Sequence, residues 1–169
     1  MVEMNRCSAC GYLHVGPAPE KCPTCGASQR AFSVYEGPGD LTGTKTLENL
    51  RAAFAGESQA NRRYTLWRRI AELEGAPQSA LDAFDRAATE ETAHALGHLA
   101  YIAGATTTAD NLAAAAAGED EEAQDMYPGF AEIAEAEGFS DIAFYFRSVG
   151  RYEAEHRGEY QTALAELNK

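Results

Sequence analysis

The sequence predicts a mainly α protein: a four-helix bundle preceded by a small four-cysteine metal ribbon. Three observations carry this. All four cysteines lie in the first 25 residues, in two CxxC pairs. The rest of the chain is rich in Ala and Glu and poor in β-branched residues, a composition that favours helix. Four long segments show apolar residues stepping by three and four, the stripe of a helix packed in a bundle. Each stripe is interrupted near its middle by carboxylate or histidine.

At 169 residues the chain can build one good core and a small appendage. A formal net charge of −12 argues against nucleic acid and anionic membrane as partners. No apolar run approaches the ~20 residues that span a bilayer. The opening MVEMNRCSAC has no apolar signal-peptide stretch, so a cytoplasmic location is expected. Paired cysteines in that setting read as metal ligands rather than a disulfide framework.

Residues 1–35 form the first module. Cys7 and Cys10, then Cys22 and Cys25, each make a tight knuckle followed by Gly11 or Gly26. Glycine permits positive φ there and lets backbone N–H groups turn toward the thiolates. Two knuckles supply a tetrahedral S4 site, which suits iron or zinc. Tyr12 and His14, in the loop between the pairs, read as ribbon surface residues, because four Cys complete the shell. Residues 36–43, EGPGDLTG, are a linker. The bundle takes residues 44–169.

The first helix starts near Thr44 or Thr46 and ends before Pro77. Its stripe is Leu47, Leu50, Phe54, Glu57, Asn61 and Tyr64, with Trp67 alongside. Glu57 is the interruption, and Asn61, one turn on, is placed to hydrogen-bond a ligand. The second helix runs from about Pro77, a favourable first-turn residue, to Gly104. Its stripe is Leu81, Phe84, Ala88, Glu91, Ala95, His98 and Ile102, and His94 follows Glu91 by three. Glu90 points elsewhere. His98 reads as a residue behind the ligands or a satisfied core histidine, with direct ligation as the alternative. Residues 105–110 are a short connection with good N-cap residues. The third helix carries Leu112, Ala115, Glu119, Glu122, Met126, Phe130 and Ile133 on one stripe, with Asp120 and Glu121 solvated. Pro128 removes a backbone donor and should kink it, and Gly138 ends it. The fourth helix, 140–168, carries Ile142, Phe146, Val149, Glu153, His156, Tyr160, Ala163 and Leu167.

A bare carboxylate on a core seam costs several kcal/mol unless it is paired or binds a metal. The seam set is Glu57, Glu91, His94, Glu119, Glu122, Glu153 and His156. Five carboxylates and two imidazoles exceed one structural zinc and suit two metals with bridging carboxylates. One Glu from each of two helices plus Glu-x-x-His from each of the other two is the general di-iron bundle pattern. Here the third helix adds a second acid.

F54-AGESQANRRY, E91-TAH, A117-GEDEEAQDMYPGF and E153-AEH together resemble rubrerythrin across nearly the whole chain. The cysteine module resembles that family's rubredoxin-like domain, placed N-terminally as in its reversed-order branch. The resemblance implies a ferritin-like bundle. It implies one Fe held by Cys7, Cys10, Cys22 and Cys25. It implies two Fe held by Glu57, Glu91, His94, Glu119, Glu122, Glu153 and His156, with Glu91 and Glu153 bridging and zinc as a substitute in either site. One iron would shift between Glu122 when oxidised and His94 when reduced. Tyr64 and Tyr127 match tyrosines that hydrogen-bond ligand carboxylates, and also read as core aromatics.

The implied activity is peroxidase: hydrogen peroxide is reduced to water, and the rubredoxin-like iron restores the electrons singly. These would come from an external NAD(P)H-dependent reductase or rubredoxin, since the chain has no GxGxxG opening a helix after a strand. A ferritin-type ferroxidase is the alternative, but it has no need of a one-electron iron module. An electron carrier, or a zinc ribbon on a structural bundle, is a further rival that the buried acids oppose. A dioxygen-reducing oxidase is a variant of the same chemistry.

In a ferritin-like bundle the second and third helices run parallel, and the chain must travel ~30 Å between them at ~1.5 Å per helical residue. About six residues reach ~20 Å at ~3.4 Å each. The expectation is therefore a homodimer in which the first hairpin of one chain packs on the second hairpin of its mate. A plain up-down-up-down bundle would need no such swap.

Overall fold

The computed structural model describes residues 2–104 and 106–167. Met1, Ala105, Asn168 and Lys169 lie outside the described residues, and with them the first residue of the expected 105–110 connection and the end of the fourth helix. The chain forms two compact units, Met1–Ala105 and Thr106–Lys169.

The first unit begins with a three-stranded antiparallel sheet of β1 (Met4–Cys7), β2 (Leu13–Val15) and β3 (Phe32–Val34), in the order β2-β1-β3. The register pairs Met4 with Val15 and Cys7 with Phe32. Gly11 and Gly26, after each cysteine pair, have φ of 84° and 72°, the left-handed turn expected of them. α1 (Lys45–Leu73) starts at Thr44, whose Oγ1 accepts the Leu47 N–H at 3.1 Å. α2 (Gln78–Ala103) follows Pro77 and ends at Gly104. α1 packs on α2; Ala60 and Ala71 of α1 and Ala93 and Ala95 of α2 are buried, while Gly97 and Ala100 are buried against the ribbon. Tyr64, Trp67 and Phe84 stack beside the α1–α2 seam. Met4, Leu13 and Ala100 form a core with Tyr35 and Tyr101, so the ribbon packs on the C-terminal part of α2.

In the second unit, α3 (Thr108–Glu121) opens with a full capping box, Thr107 and Asp110 each accepting the other's backbone N–H. The helix thus begins earlier than the connection 105–110 suggested. A π-helical turn, Glu122–Met126, joins α3 to α4 (Tyr127–Ala136), and α5 (Ser140–Leu167) runs back. The kink expected at Pro128 takes this form. The Tyr127 N–H bonds Glu122 O, five residues back, just before the proline that has no N–H to offer. The inserted residue moves the packed face on by one. Ala131 and Ala134 pack against Ala143 and Phe146 of α5, whereas Phe130 and Ile133, which the unbroken period put on the stripe, stay exposed. Among the described residues no helix is long and apolar enough to cross a membrane.

Candidate metal centres

The two knuckles bring Cys7, Cys10, Cys22 and Cys25 together, with sulfur–sulfur distances of 3.9 Å (Cys7–Cys25) and 3.6 Å (Cys10–Cys22). An ion held tetrahedrally by bonds of about 2.3 Å has sulfur–sulfur edges of about 3.8 Å, so the cage is already the right size. The Tyr12 N–H points at Cys10 Sγ, 3.5 Å away. Burial pushes the Cys7 thiol up, but backbone N–H groups of Cys10 and Ala9 and the neighbouring thiols outweigh it and bring it to about 7. Burial and the surrounding sulfurs push Cys10 up to about 12. Four sulfurs this close cannot all be thiolates without a cation among them.

The carboxylate and histidine set gathers in two triads, one per unit. On α1 and α2, Glu57, Glu91 and His94 converge, and His94 Nδ1 lies 2.8 Å from Glu91 Oε2. On α3 and α5, Glu119, Glu153 and His156 converge, with His156 Nδ1 2.7 Å from Glu153 Oε2 and 3.8 Å from Glu119 Oε2. Two donors sharing one ion at right angles, each about 2.1 Å away, sit about 3 Å apart, close to both Glu-x-x-His distances. Within each triad two carboxylates press on one another. Burial, then the hydrogen bond and charge of Glu91, raises the Glu57 pKa. Burial, then the charge and hydrogen bond of Glu153, raises that of Glu119. Such pairs hold a proton or a cation. The four cysteines therefore fit a rubredoxin-like iron, and each triad offers the carboxylate and histidine donors of a di-iron site.

The triads are half-buried, with His156 exposed, so neither lies deep in its own unit. Glu122 is half-buried on the π-helical turn and stands outside the tight triad of its unit, near enough for its charge to act on Glu119 and Tyr127. Asp120 and Glu121 are exposed as expected, although Asp120 pairs with Arg157 of α5. Tyr64 packs on Trp67 and Phe84; Tyr127 packs on Phe130 and Phe146. Burial, then the charges of Glu122 and Glu153, holds the Tyr127 hydroxyl above its ordinary pKa, so it remains a hydrogen-bond donor.

Asn61 differs from expectation. It is buried and donates to the Ala88 carbonyl (2.6 Å) and Thr92 Oγ1 (2.8 Å) across the hairpin, rather than to a triad carboxylate. It thereby fixes α1 against α2 one turn from Glu57 and next to Glu91. Tyr12 is likewise no plain surface residue: it lies on α2 at Gly97. Its signal was the lone Gly97 in an Ala-rich helix, which costs about 1 kcal/mol unless close approach requires it.

The rubrerythrin family model matches residues 48–164, and the model for the rubrerythrin rubredoxin-like domain matches residues 6–33. The chain belongs to the rubrerythrin family. Its rubredoxin-like domain precedes the ferritin-like helices. It is similar to rubrerythrin of Porphyromonas gingivalis, 43% identical over 140 residues, 75% of this chain and 70% of that one. Rubrerythrin-1 of Clostridium acetobutylicum is 41% identical over 146 residues, covering 76% and 74%. Reverse rubrerythrin-1 of the same organism is 36% identical over 118 residues, covering 62% and 64%.

Proposed function

We propose that this rubrerythrin is a peroxidase of the reversed-order type, reducing hydrogen peroxide to two waters with two electrons and two protons. The observation that carries the reading is the pairing, in one chain, of a cage sized for a one-electron sulfur-bound metal with two carboxylate/histidine triads. A ferroxidase would need only the second. When bound, the iron pair supplies the two electrons and the sulfur-bound iron returns them one at a time.

The chain's residues divide that work. Residues 1–35 form the one-electron module, 36–43 the linker and 44–169 the di-iron bundle. Glu57, Glu91, His94, Glu119, Glu153 and His156 would hold the pair. Glu122 would be the spare acid, an anionic ligand suited to the oxidised pair, where His94 would be the neutral ligand suited to the reduced one. Tyr127 keeps its hydroxyl proton and orients the carboxylates beside it; Tyr64 would hydrogen-bond the carboxylates held by α1 and α2. Electrons enter from an external NAD(P)H-dependent reductase or rubredoxin.

Each unit offers one triad, and a di-iron site needs both. In a bundle with α2 and α3 parallel, α2 continues about 14 Å beyond His94 and α3 begins about 17 Å before Glu119. The four residues between Ala103 and Thr108 reach only about 17 Å. This favours a homodimer in which the α1–α2 hairpin of one chain completes the site with α3 and α5 of its mate. Exposed apolar side chains such as Leu66, Ile70 and Leu96 in one unit, and Ile133 and Ile142 in the other, are faces such a dimer would cover.

The test is stopped-flow oxidation of anaerobically reduced, iron-loaded protein by stoichiometric hydrogen peroxide. Fast di-iron oxidation followed by return of colour at the sulfur-bound iron is expected. A cysteine module that stays silent would bring the ferroxidase reading forward.

A further inference from the structure

The ribbon and the Glu57–Glu91–His94 triad belong to one compact unit, and a tight seam joins them. Gly97 is buried on α2, three residues after His94. A Cβ at Gly97 would meet Tyr12 Cδ2 at 3.0 Å and Cε2 at 3.3 Å, so the ring lies directly on helix backbone. The same tyrosine touches the four-cysteine cage, its N–H reaching Cys10 Sγ at 3.5 Å. One turn further along α2, the Tyr101 hydroxyl donates to the Gly11 carbonyl at 2.7 Å and accepts from Arg6 Nε at 3.3 Å. Cys10, Tyr12, His94 and Gly97 line one cavity of 190 Å³, so a ligand from each centre faces the same small space.

We propose that the Tyr12–Gly97 seam seats the ribbon on α2 of its own chain and makes it the electron relay to the di-iron site which that α2 helps to build. This rests on the electron path proposed above and names its route. The route runs from Cys10 Sγ through the Tyr12 N–H and ring to the Gly97 backbone, then back along α2 past His94 to Glu91, the α2 carboxylate that holds the pair in either state. The step moves one electron: the sulfur-bound iron is oxidised, a carboxylate-bound iron is reduced, and no bond is made or broken. Tyr12, Gly97 and Tyr101 are positioning residues. Bulk at position 97 is excluded because it would lift the ring from the helix.

The experiment compares the unmodified chain with Gly97→Leu and Tyr12→Ala. In the zinc-loaded protein, amide exchange at residues 11–13 reads ribbon docking without any turnover. In an equal mixture of ¹³C-labelled and unlabelled chains, filtered nuclear Overhauser effects show whether Tyr12 and Gly97 touch within one chain. In the iron-loaded protein, photochemical pulse reduction of the sulfur-bound iron gives its rate of reoxidation by the oxidised pair, with no peroxide present. Both variants are expected to raise exchange at residues 11–13 and slow the transfer by about tenfold or more at unchanged iron content, since small displacements enter a rate steeply. A Tyr12–Gly97 contact between chains, or an unchanged rate in Tyr12→Ala, would overturn the proposal. Loss of peroxide turnover with transfer intact would remove the peroxidase reading and leave the seam standing. Absence of transfer in the unmodified chain would remove both.

Discussion

The two triads carry the same donors, a Glu opposite a Glu-x-x-His, yet their units hold them differently. Glu57, Glu91 and His94 stand on two uninterrupted helices, packed on one another and pinned by the buried Asn61. Glu119, Glu153 and His156 stand where one helix changes to π-helical winding within one turn, with a third acid, Glu122, on that winding. Each unit also uses one helix glycine for close approach: Gly97 beneath Tyr12, and Gly150, where a Cβ would meet Tyr127 Cβ at 3.0 Å. The first glycine seats the four-cysteine ribbon; the second seats a tyrosine near Glu122. Under the proposed function, the first half would be reached by electrons and stay put, and the second would offer an alternative ligand. A π-helical turn is a common place for that, because it frees backbone groups and re-aims side chains.

The largest break in this comparison should come at Glu122, which has no counterpart in the first triad. Glu122→Ala is expected to keep both irons, since it stands outside the tight triad, and to lower peroxide turnover roughly 10–100-fold, the scale of a supporting ligand group. Iron per chain and single-turnover kinetics, with X-ray absorption on oxidised and reduced protein, check it. Turnover and metal shift both unchanged would remove the special role of the second half.

A smaller effect tests the rigidity of the first half. Asn61→Ala removes two half-buried hydrogen bonds across the α1–α2 hairpin, and truncation of this kind costs about 1–3 kcal/mol. Denaturant unfolding of the metal-free protein should show that loss. Amide exchange should rise on α1 and α2 while α3 and α5 keep their protection. Equal loosening of both units would mean that the halves are not held independently.

The sequence made the ribbon and the helices legible because both are local. Cysteine spacing and glycine fix the knuckles, and the second stripe, Leu81 to Ile102, is half-buried or buried throughout. The triads were legible for the same reason, since acid on an apolar seam needs no tertiary information to stand out. Asn61, Tyr12 and the face after Glu122 were not. An asparagine one turn from Glu57 looks the same whether it bonds a carboxylate or the next helix. Pro128 announces a lost donor but not whether the ladder answers by bending or by taking in a residue. Only the second answer buries Ala131 and Ala134 against α5, leaves Ile133 exposed and sets Phe130 at the edge of that face, against Phe146.

The smallest effect separates the units by acid titration. In the first, Glu72 is held below its ordinary pKa by hydrogen bonding from Arg69 and the charge of Arg68, both on its own helix. In the second, Glu135 is held low by the Ser140 hydroxyl at 2.8 Å and by Arg147, so it ties α4 to α5. A depressed carboxylate pKa adds stability that is fully present above the unfolded value, near 4.5, and is lost as pH falls through the lower folded value. Glu135→Gln should therefore lower the thermal midpoint slightly at neutral pH, and the difference should close as pH drops below 4.5. Glu72→Gln should show the same sign and a smaller gap, because its partners lie three and four residues away on one helix and restrain no tertiary contact. A gap for Glu135→Gln that persisted below its folded pKa would trace to the lost side-chain geometry rather than to charge, and the distinction between a local and a bridging carboxylate would fail.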